Sequence, residues 1–377
     1  MARTCLDGNA TTPLDPRVRA AMDPWLDCGN ASSLHAEGRA ARGAVDLARE
    51  RVAALLGSRP REIVLTSGAT EANSLAIVGA IRANGVRRVL TSAVEHPTVT
   101  RALEALRPGI EVEAAGVDAA GRVAADTPVP NGTGLVTLML ANNETGAVMP
   151  VAAIAGRARA SGALVHTDAA QACGKIPVRV DDLGVDLLSL SAHKMHGPKG
   201  AGALFVRSGV RLAPLAHGGE QERGLRPGTE NVAAIVGLGA AAELAAREGE
   251  ARRALWARLR AELLAGLHAT IPEARVNSPE DGLRNTLSLS FPGLEGEALL
   301  MGLDLEGVAV STGSACASGA AEPSHVLLAQ GLSRAEAAQS LRVSFHAAST
   351  PADVASFLNA LSRVVKGLRA RIPVRRC

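Results

Sequence analysis

The spacing of hydrophobic positions changes along the chain, and the changes divide it. Between residues 35 and 57 charged positions alternate with Ala, Val and Leu at helical spacing and stop at Gly57, a suitable C-cap. A long amphipathic helix is predicted there. Beyond it, short apolar runs read as buried strands: Glu62–Thr66, Arg88–Thr91, Leu135–Leu140, Ala163–Thr167, Asp186–Leu190 and Ala203–Val206. Amphipathic stretches at 70–83, 97–107 and 151–161 lie between several of them. This alternation predicts an α/β fold around a mostly parallel central sheet, where sites gather at the carboxyl ends of the strands.

An Ala-rich helical stretch then covers roughly 231–268, with Asn231 placed to cap it. After it come a strand (Arg284–Phe291), a helix (Glu295–Leu303), a strand (Val308–Ser311) and a loop of Gly, Ser and Ala at 312–321. A helix, a strand (Leu341–Phe345) and a closing helix at 351–370 complete the chain. At 377 residues the chain is too long for one compact core, so two domains are expected. The expected division is a large domain at 15–250 and a smaller α+β domain built from 1–14 and 251–377.

Composition narrows the function. With four Phe, two Trp and no Tyr, the core is expected to be built from small aliphatics, and no stacking platform for nucleic acid is in view. Net charge is +3, and the basic cluster Arg369, Arg371, Arg375 and Arg376 reads as a solvated tail. Asp7 and Pro13 interrupt any signal-peptide core, and the longest apolar run, Val232–Ala242, is too short to span a bilayer. A cytoplasmic protein with no membrane contact is expected. Five cysteines (Cys5, Cys28, Cys173, Cys316, Cys377) form no C-x-x-C pair and read as reduced thiols.

Five polar motifs fall next to strand ends or in loops. Lys194, in Ser191-Ala-His193-Lys194-Met-His196-Gly197-Pro198, follows a buried strand, where a lysine is costly unless paired or neutralised. Covalent attachment as a Schiff base is one way out, and snorkelling beside the Gly-Pro turn is the other. Asp168, in His166-Thr-Asp168-Ala-Ala-Gln171, is placed either to keep a pyridinium nitrogen protonated or simply to cap a helix. Thr66-Ser67-Gly68-Ala69-Thr70-Glu71 joins a strand to a helix and suits a phosphate or an ordinary cap. His96, in Glu95-His96-Pro97, is able to lie over a ring and move protons, or to fill a loop. Cys316 sits among Ser311-Thr-Gly313-Ser314-Ala315 and Ala317-Ser318-Gly319, small residues that do not bury a structural thiol. Such a loop lets a thiol collect a group at one site and deliver it at another, though a plain surface cysteine fits as well.

Taken together, these residues resemble the cysteine desulfurases of the NifS/IscS type, within the fold-type I, class V aminotransferase group of pyridoxal-phosphate enzymes. The resemblance runs over nearly the whole chain. It includes Leu6-Asp7-Gly-Asn9-Ala-Thr-Thr-Pro13, Gly29-Asn30-Ala-Ser-Ser-Leu-His35, Asn142-Asn143-Glu144-Thr145-Gly146, Glu222-Arg-Gly-Leu-Arg-Pro-Gly-Thr229-Glu-Asn231 and Glu322-Pro-Ser-His325. It implies that pyridoxal 5'-phosphate is carried by Lys194, with Asp168 on the pyridine nitrogen, His96 on the ring face and Gln171 at the phenolic oxygen. Ala69, Thr70, Ser191 and His193 would hold the phosphate, joined by Thr229 from a second subunit of a homodimer. Asn143 and Arg342 would take the carboxylate of L-cysteine.

The resemblance further implies that Cys316 receives the sulfur as a persulfide, leaving alanine, and passes it to an acceptor protein for iron–sulfur assembly or another thiolation. Cys316 would also be the one candidate for a transient iron–sulfur ligand; no other metal site is expected. Three positions depart from the family pattern: Cys5 stands for the usual Tyr, Ala31 for Pro, and Ala347 for a second arginine after Arg342. A selenocysteine lyase or another class V enzyme would share the cofactor site. A metal hydrolase built on His166-x-Asp168 and His193-x-x-His196 lacks a third ligand in familiar spacing. Gly237-Leu-Gly239-Ala-Ala-Ala242 lies inside a helical pattern with no strand before it, so a dinucleotide fingerprint is not expected.

Overall fold

The computed structural model describes residues 3–312 and 322–371, the side chain of Arg371 excepted. In chain order the first part contains β1 (Thr4–Cys5), α1 (Pro16–Met22), α2 (Ala36–Leu56), β2 (Ile63–Thr66), α3 (Ala69–Asn84), β3 (Arg88–Ser92) and α4 (Pro97–Glu104). It continues with β4 (Glu111–Ala115), β5 (Leu135–Met139), α5 (Val151–Ala160), β6 (Leu164–Asp168), α6 (Val180–Leu183), β7 (Leu187–Ser191) and β8 (Gly202–Val206). Helix α7 (Val232–Thr270) leads into β9 (Arg275–Val276), β10 (Thr286–Ser290), α8 (Gly296–Leu305), β11 (Val308–Ala309), α9 (His325–Ala329), α10 (Arg334–Ala338), β12 (Ser340–Ser344) and α11 (Pro351–Arg371).

Among the described residues, seven strands form the large sheet in the order β2-β8-β7-β6-β5-β3-β4. Only β8 runs against its neighbours, so the carboxyl ends of β2, β7, β6, β5 and β3 emerge along one edge. The apolar runs become strands because both faces are covered: β5, β7 and β8 are buried at every residue. The strand β4 escaped the hydrophobic pattern for the opposite reason. It lies at the sheet edge, and Glu111 and Glu113 face solvent. A second, antiparallel sheet has the order β12-β10-β9, and β1 pairs with β11.

Two cores accompany the two sheets. The core around the large sheet is built mainly of Ala, Val, Leu and Ile, with Met139, Met149, Met195 and Cys173, and Phe205 is its one phenylalanine among the described residues. The second packs Phe291, Phe345 and Phe357 with Trp256 and Leu6. Helix α7 belongs to both: Val232–Ala245 supplies the first core and Trp256–Leu267 the second. Its Ala and Gly richness has a packing cause. A Cβ on Gly239 would stand 2.6 Å from Ala48 Cα, so α2 and α7 cross at a distance only small residues permit. Helix ends follow the sequence signals, with Gly57 left-handed after α2 and Asn231 Oδ1 accepting from Ala234 N at 3.1 Å before α7.

Candidate active site

Asp168 is the last residue of β6, in register with Met139 and Ser189 on the flanking strands. Its carboxylate is 7% exposed; Oδ2 accepts from Asn73 Nδ2 at 2.7 Å and Oδ1 from Ala170 N at 2.9 Å. Lys194 closes a short turn directly after β7, and its Nζ donates to Asn9 O at 2.5 Å and Ala10 O at 2.9 Å. His96 precedes α4 and caps it through Nδ1, which accepts from Thr98 N at 3.2 Å. Burial holds this imidazole below its ordinary pKa; Asp168 opposes the shift, and Lys194 and His325 add to it. The ring therefore feels both the acid and the amine from one position beside them.

The turn from β2 into α3 forms a cradle for an anion. Gly68, which precedes the helix, supplies no side-chain cap, and the nearby Ser67 N–H is taken by Glu71 Oε2 at 2.7 Å. The start of α3 is thus open to a ligand with acceptor oxygens. Gly202 makes the cradle possible: a Cβ there would lie 2.6 Å from both Gly68 Cα and Leu190 O. Without that side chain the turn closes onto β7, bringing Ser191 Oγ within 3.6 Å of the point where Gly68 would carry a Cβ. Ala69 and Thr70 open α3 beside it. His193 Nδ1 meets Thr11 Oγ1 at 3.2 Å, and burial followed by nearby lysines takes its pKa down to about 4.

Thr229 is exposed, on a segment held at two points. Glu222 accepts from Arg49 Nη1 and Nη2 at 2.7 and 2.6 Å and from Leu65 N at 2.8 Å, while Arg226 Nε pairs with Glu71 at 2.9 Å. Glu222 and Arg223 are both left-handed, at φ 47° and 59°, a conformation these residues adopt only when their surroundings enforce it.

The second sheet brings Arg342 to this edge. It is 4% exposed, with Nη1 donating to Asn143 O at 3.2 Å and Nη2 to Asp7 Oδ1 at 2.7 Å. Cys316 lies outside the described residues, together with Gly313, Ser314 and the rest of 313–321. The described residues on either side are anchored at the site. Ser311 exchanges backbone bonds with Arg342, Ser324 Oγ donates to Glu144 Oε2 at 2.5 Å, and His325 Nε2 meets Glu95 O at 3.0 Å.

Several residues the sequence did not single out hold the site together. Asn9 is the hub: its carbonyl receives Lys194 and Gln171 Nε2, the latter at 2.9 Å. Its side chain joins Asn143 O, Thr286 Oγ1, Asn285 Nδ2 and Lys175 Nζ. Glu95 is fully buried, accepts from Ser92 Oγ at 2.5 Å and Met139 N at 3.0 Å, and burial pushes its pKa up to about 8. Asn9 lies in the Leu6–Pro13 motif that carries part of the family resemblance, though no role was read for it there; nothing in the sequence marked Lys175.

His166 is a strut. Its ring nitrogens meet Thr137 Oγ1 at 2.8 Å and Ser189 Oγ at 3.0 Å, and burial lowers its pKa to about 4. His196 is equally committed, to Pro13 O at 2.9 Å and Ala347 N at 3.1 Å. Among the described residues no cluster of three or more His, Cys, Asp or Glu is placed to hold a metal ion, and no helix is long and apolar enough to cross a membrane.

The residues fit a pyridoxal phosphate: a buried carboxylate, a strand-end amine, a flat neutral imidazole and an uncapped helix start converge on one edge. Comparison with known proteins agrees with this geometry. The sequence profile of the aminotransferase class-V family matches residues 4–357. A cysteine desulfurase of Gluconacetobacter diazotrophicus is 45% identical over 98% of this chain and 94% of its own. The solved structure of a NifS-like protein superposes with a TM-score of 0.91 at 37% identity, covering 97% of this chain and 100% of that one. A structure of SspA in complex with cysteine gives a TM-score of 0.78 at 35% identity, over 91% and 98% of the two chains.

Proposed function

The chain belongs to the aminotransferase class-V family, and from that premise we propose that it is a pyridoxal-phosphate-dependent cysteine desulfurase. The observation that carries this reading is the convergence of Asp168, Lys194 and His96 on the carboxyl edge of one sheet. When bound, the cofactor supplies a protonated ring that accepts the electron pair released at the substrate's α-carbon.

The chain's own groups do the rest. Lys194 is the amine that would attach the cofactor and then carry the α-proton of L-cysteine. Asp168, with a donor on each carboxylate oxygen, would pair with the ring nitrogen. His96, its pKa lowered first by burial, would lie against the ring, and Gln171 would meet its phenolic oxygen. Ala69, Thr70, Ser191 and His193 would take the phosphate, and Thr229 would reach the neighbouring protomer of a homodimer. Arg342 and Asn143 receive the substrate carboxylate; the guanidinium offers the planar pair of donors it needs.

The thiolate of Cys316 attacks the sulfur of the substrate. A sulfur–sulfur bond forms, the carbon–sulfur bond breaks with its electrons remaining on carbon, and protonation of that carbon gives alanine. The persulfide is then passed to an acceptor protein, for iron–sulfur cluster assembly or another thiolation. The reading includes a cytoplasmic location and a division into a large domain at 15–250 and a small one at 1–14 and 251–377. The two cores that share α7 support that division.

The test is direct. Purified protein supplied with pyridoxal phosphate should turn L-cysteine into equimolar alanine and protein-bound or released sulfur. Cys316→Ala should keep the cofactor's visible band and lose sulfur release. A Cys316→Ala protein releasing sulfide at the wild-type rate would remove Cys316 from the mechanism.

A further inference from the structure

Lys175 is a second lysine at the site, buried where Lys194 is only partly so, and takes no part in the chemistry above. It is 4% exposed, on the turn that follows Asp168 and Gln171. Its Nζ donates to Asn9 Oδ1 at 2.7 Å and to Gln171 Oε1. Among the described residues no carboxylate pairs with it; the charged groups acting on it are Lys194 and Arg342, both cationic. Burial, with those two cations, lowers its pKa well below that of a free lysine. A methionine would fill the same space without the desolvation cost. What the lysine adds is a pair of N–H donors aimed at two amide oxygens.

We propose that Lys175 is a positioning residue that fixes the amide of Gln171, so that an N–H and not the oxygen faces the cofactor's phenolic oxygen. The orientation is set twice over. Asn9 O only accepts, so it takes Gln171 Nε2, while Lys175 takes Gln171 Oε1. One N–H of the amide remains, and it is a donor suited to an anionic phenolic oxygen. Asn9 does not depend on Lys175, because Asn285, Thr286 and Asn143 hold its side chain as well. Loss of Lys175 therefore leaves the Gln171 amide held on one side only, by Asn9 O, with its oxygen unpaired by any lysine and the amide free to swing about that single contact, while the hub stays in place.

This inference rests on the pyridoxal-phosphate reading, and its test separates the two. The probe is pyridoxal phosphate added to the full-length chain, and the readout is the pH midpoint of the visible band. A wild-type protein with no such band ends the parent reading. With the band present, Lys175→Met should raise the midpoint by about one pH unit, as the phenolic oxygen loses a hydrogen bond and becomes more basic. The cofactor-free variant should melt at or above the wild-type temperature. In a Gln171→Leu background, Lys175→Met should add no further shift. A wild-type midpoint in Lys175→Met, or the same added shift in both backgrounds, overturns the proposal. A second arm leaves Lys175 in place: Gln171→Glu puts acceptors at both positions and should raise the midpoint too, and a midpoint at or below wild type also overturns it.

Discussion

The large sheet and the small one divide the labour by how they are packed. The large sheet is parallel but for β8, and its interior is filled by small aliphatics. Parallel strands release their chain ends on one edge, so Asp168, Ser191 and Lys194 arrive together without any one of them being close in sequence to His96 or Gly68. The small sheet is antiparallel and packed with Phe291, Phe345 and Phe357. It offers the site a single buried charge, Arg342, already steadied by Asp7. One region gathers chemistry; the other supplies rigidity and one grip.

That contrast predicts a stability difference first. Phe357→Ala, in the aromatic core and fully buried, should cost about 3–5 kcal/mol in denaturant unfolding. Val45→Ala, in the aliphatic core, should cost well under half of that, because fewer atoms are removed. Equal losses would erase the distinction between the two cores.

Arg342→Lys sharpens the claim that the small sheet grips substrate. A lysine keeps the charge and loses the planar pair of donors, so KM for cysteine should rise about tenfold or more while kcat changes little. A fall in kcat with KM unchanged would move Arg342 from binding to chemistry.

A third test concerns pH. Glu95 has a folded-state pKa of about 8 against 4.5 for a free glutamate, a shift due first to burial. A raised pKa means the folded state keeps its proton after the unfolded chain has lost it. Stability from this group is present below 4.5 and lost as pH rises toward about 8. Glu95→Gln should therefore gain stability relative to wild type between pH 5 and pH 8, measured by thermal unfolding of the cofactor-free chain. His166, lowered to about 4 by burial, works in the opposite direction and is unaffected by that substitution. A constant difference across the range would contradict the buried, protonated state of Glu95.

Most of the fold was legible because the buried strands carry continuous apolar runs, and the expected bounds for β2, β5, β7 and β8 differ from the observed ones by a residue or so. The edge strand β4 was not, since its alternating glutamates look like loop. Candidate chemistry was legible where residues cluster locally, as around Lys194 and Asp168. Lys175 was hidden because one of its partners, Asn9, reaches it from the far end of the sequence. The same holds for Gly237 and Gly239, whose G-x-G-x-x-A pattern was set aside as a nucleotide fingerprint but had no packing reason in sequence: a Cβ on Gly237 would meet Met22 and Pro198, and one on Gly239 would meet Ala48 of α2.

Two lysines stand at the site, and the cofactor is assigned to the less buried of them, Lys194. Borohydride reduction of the protein mixed with pyridoxal phosphate, followed by peptide mass mapping, should place the added mass on the peptide containing Lys194. The added mass on Lys175, or no tethered cofactor at all, would contradict the account.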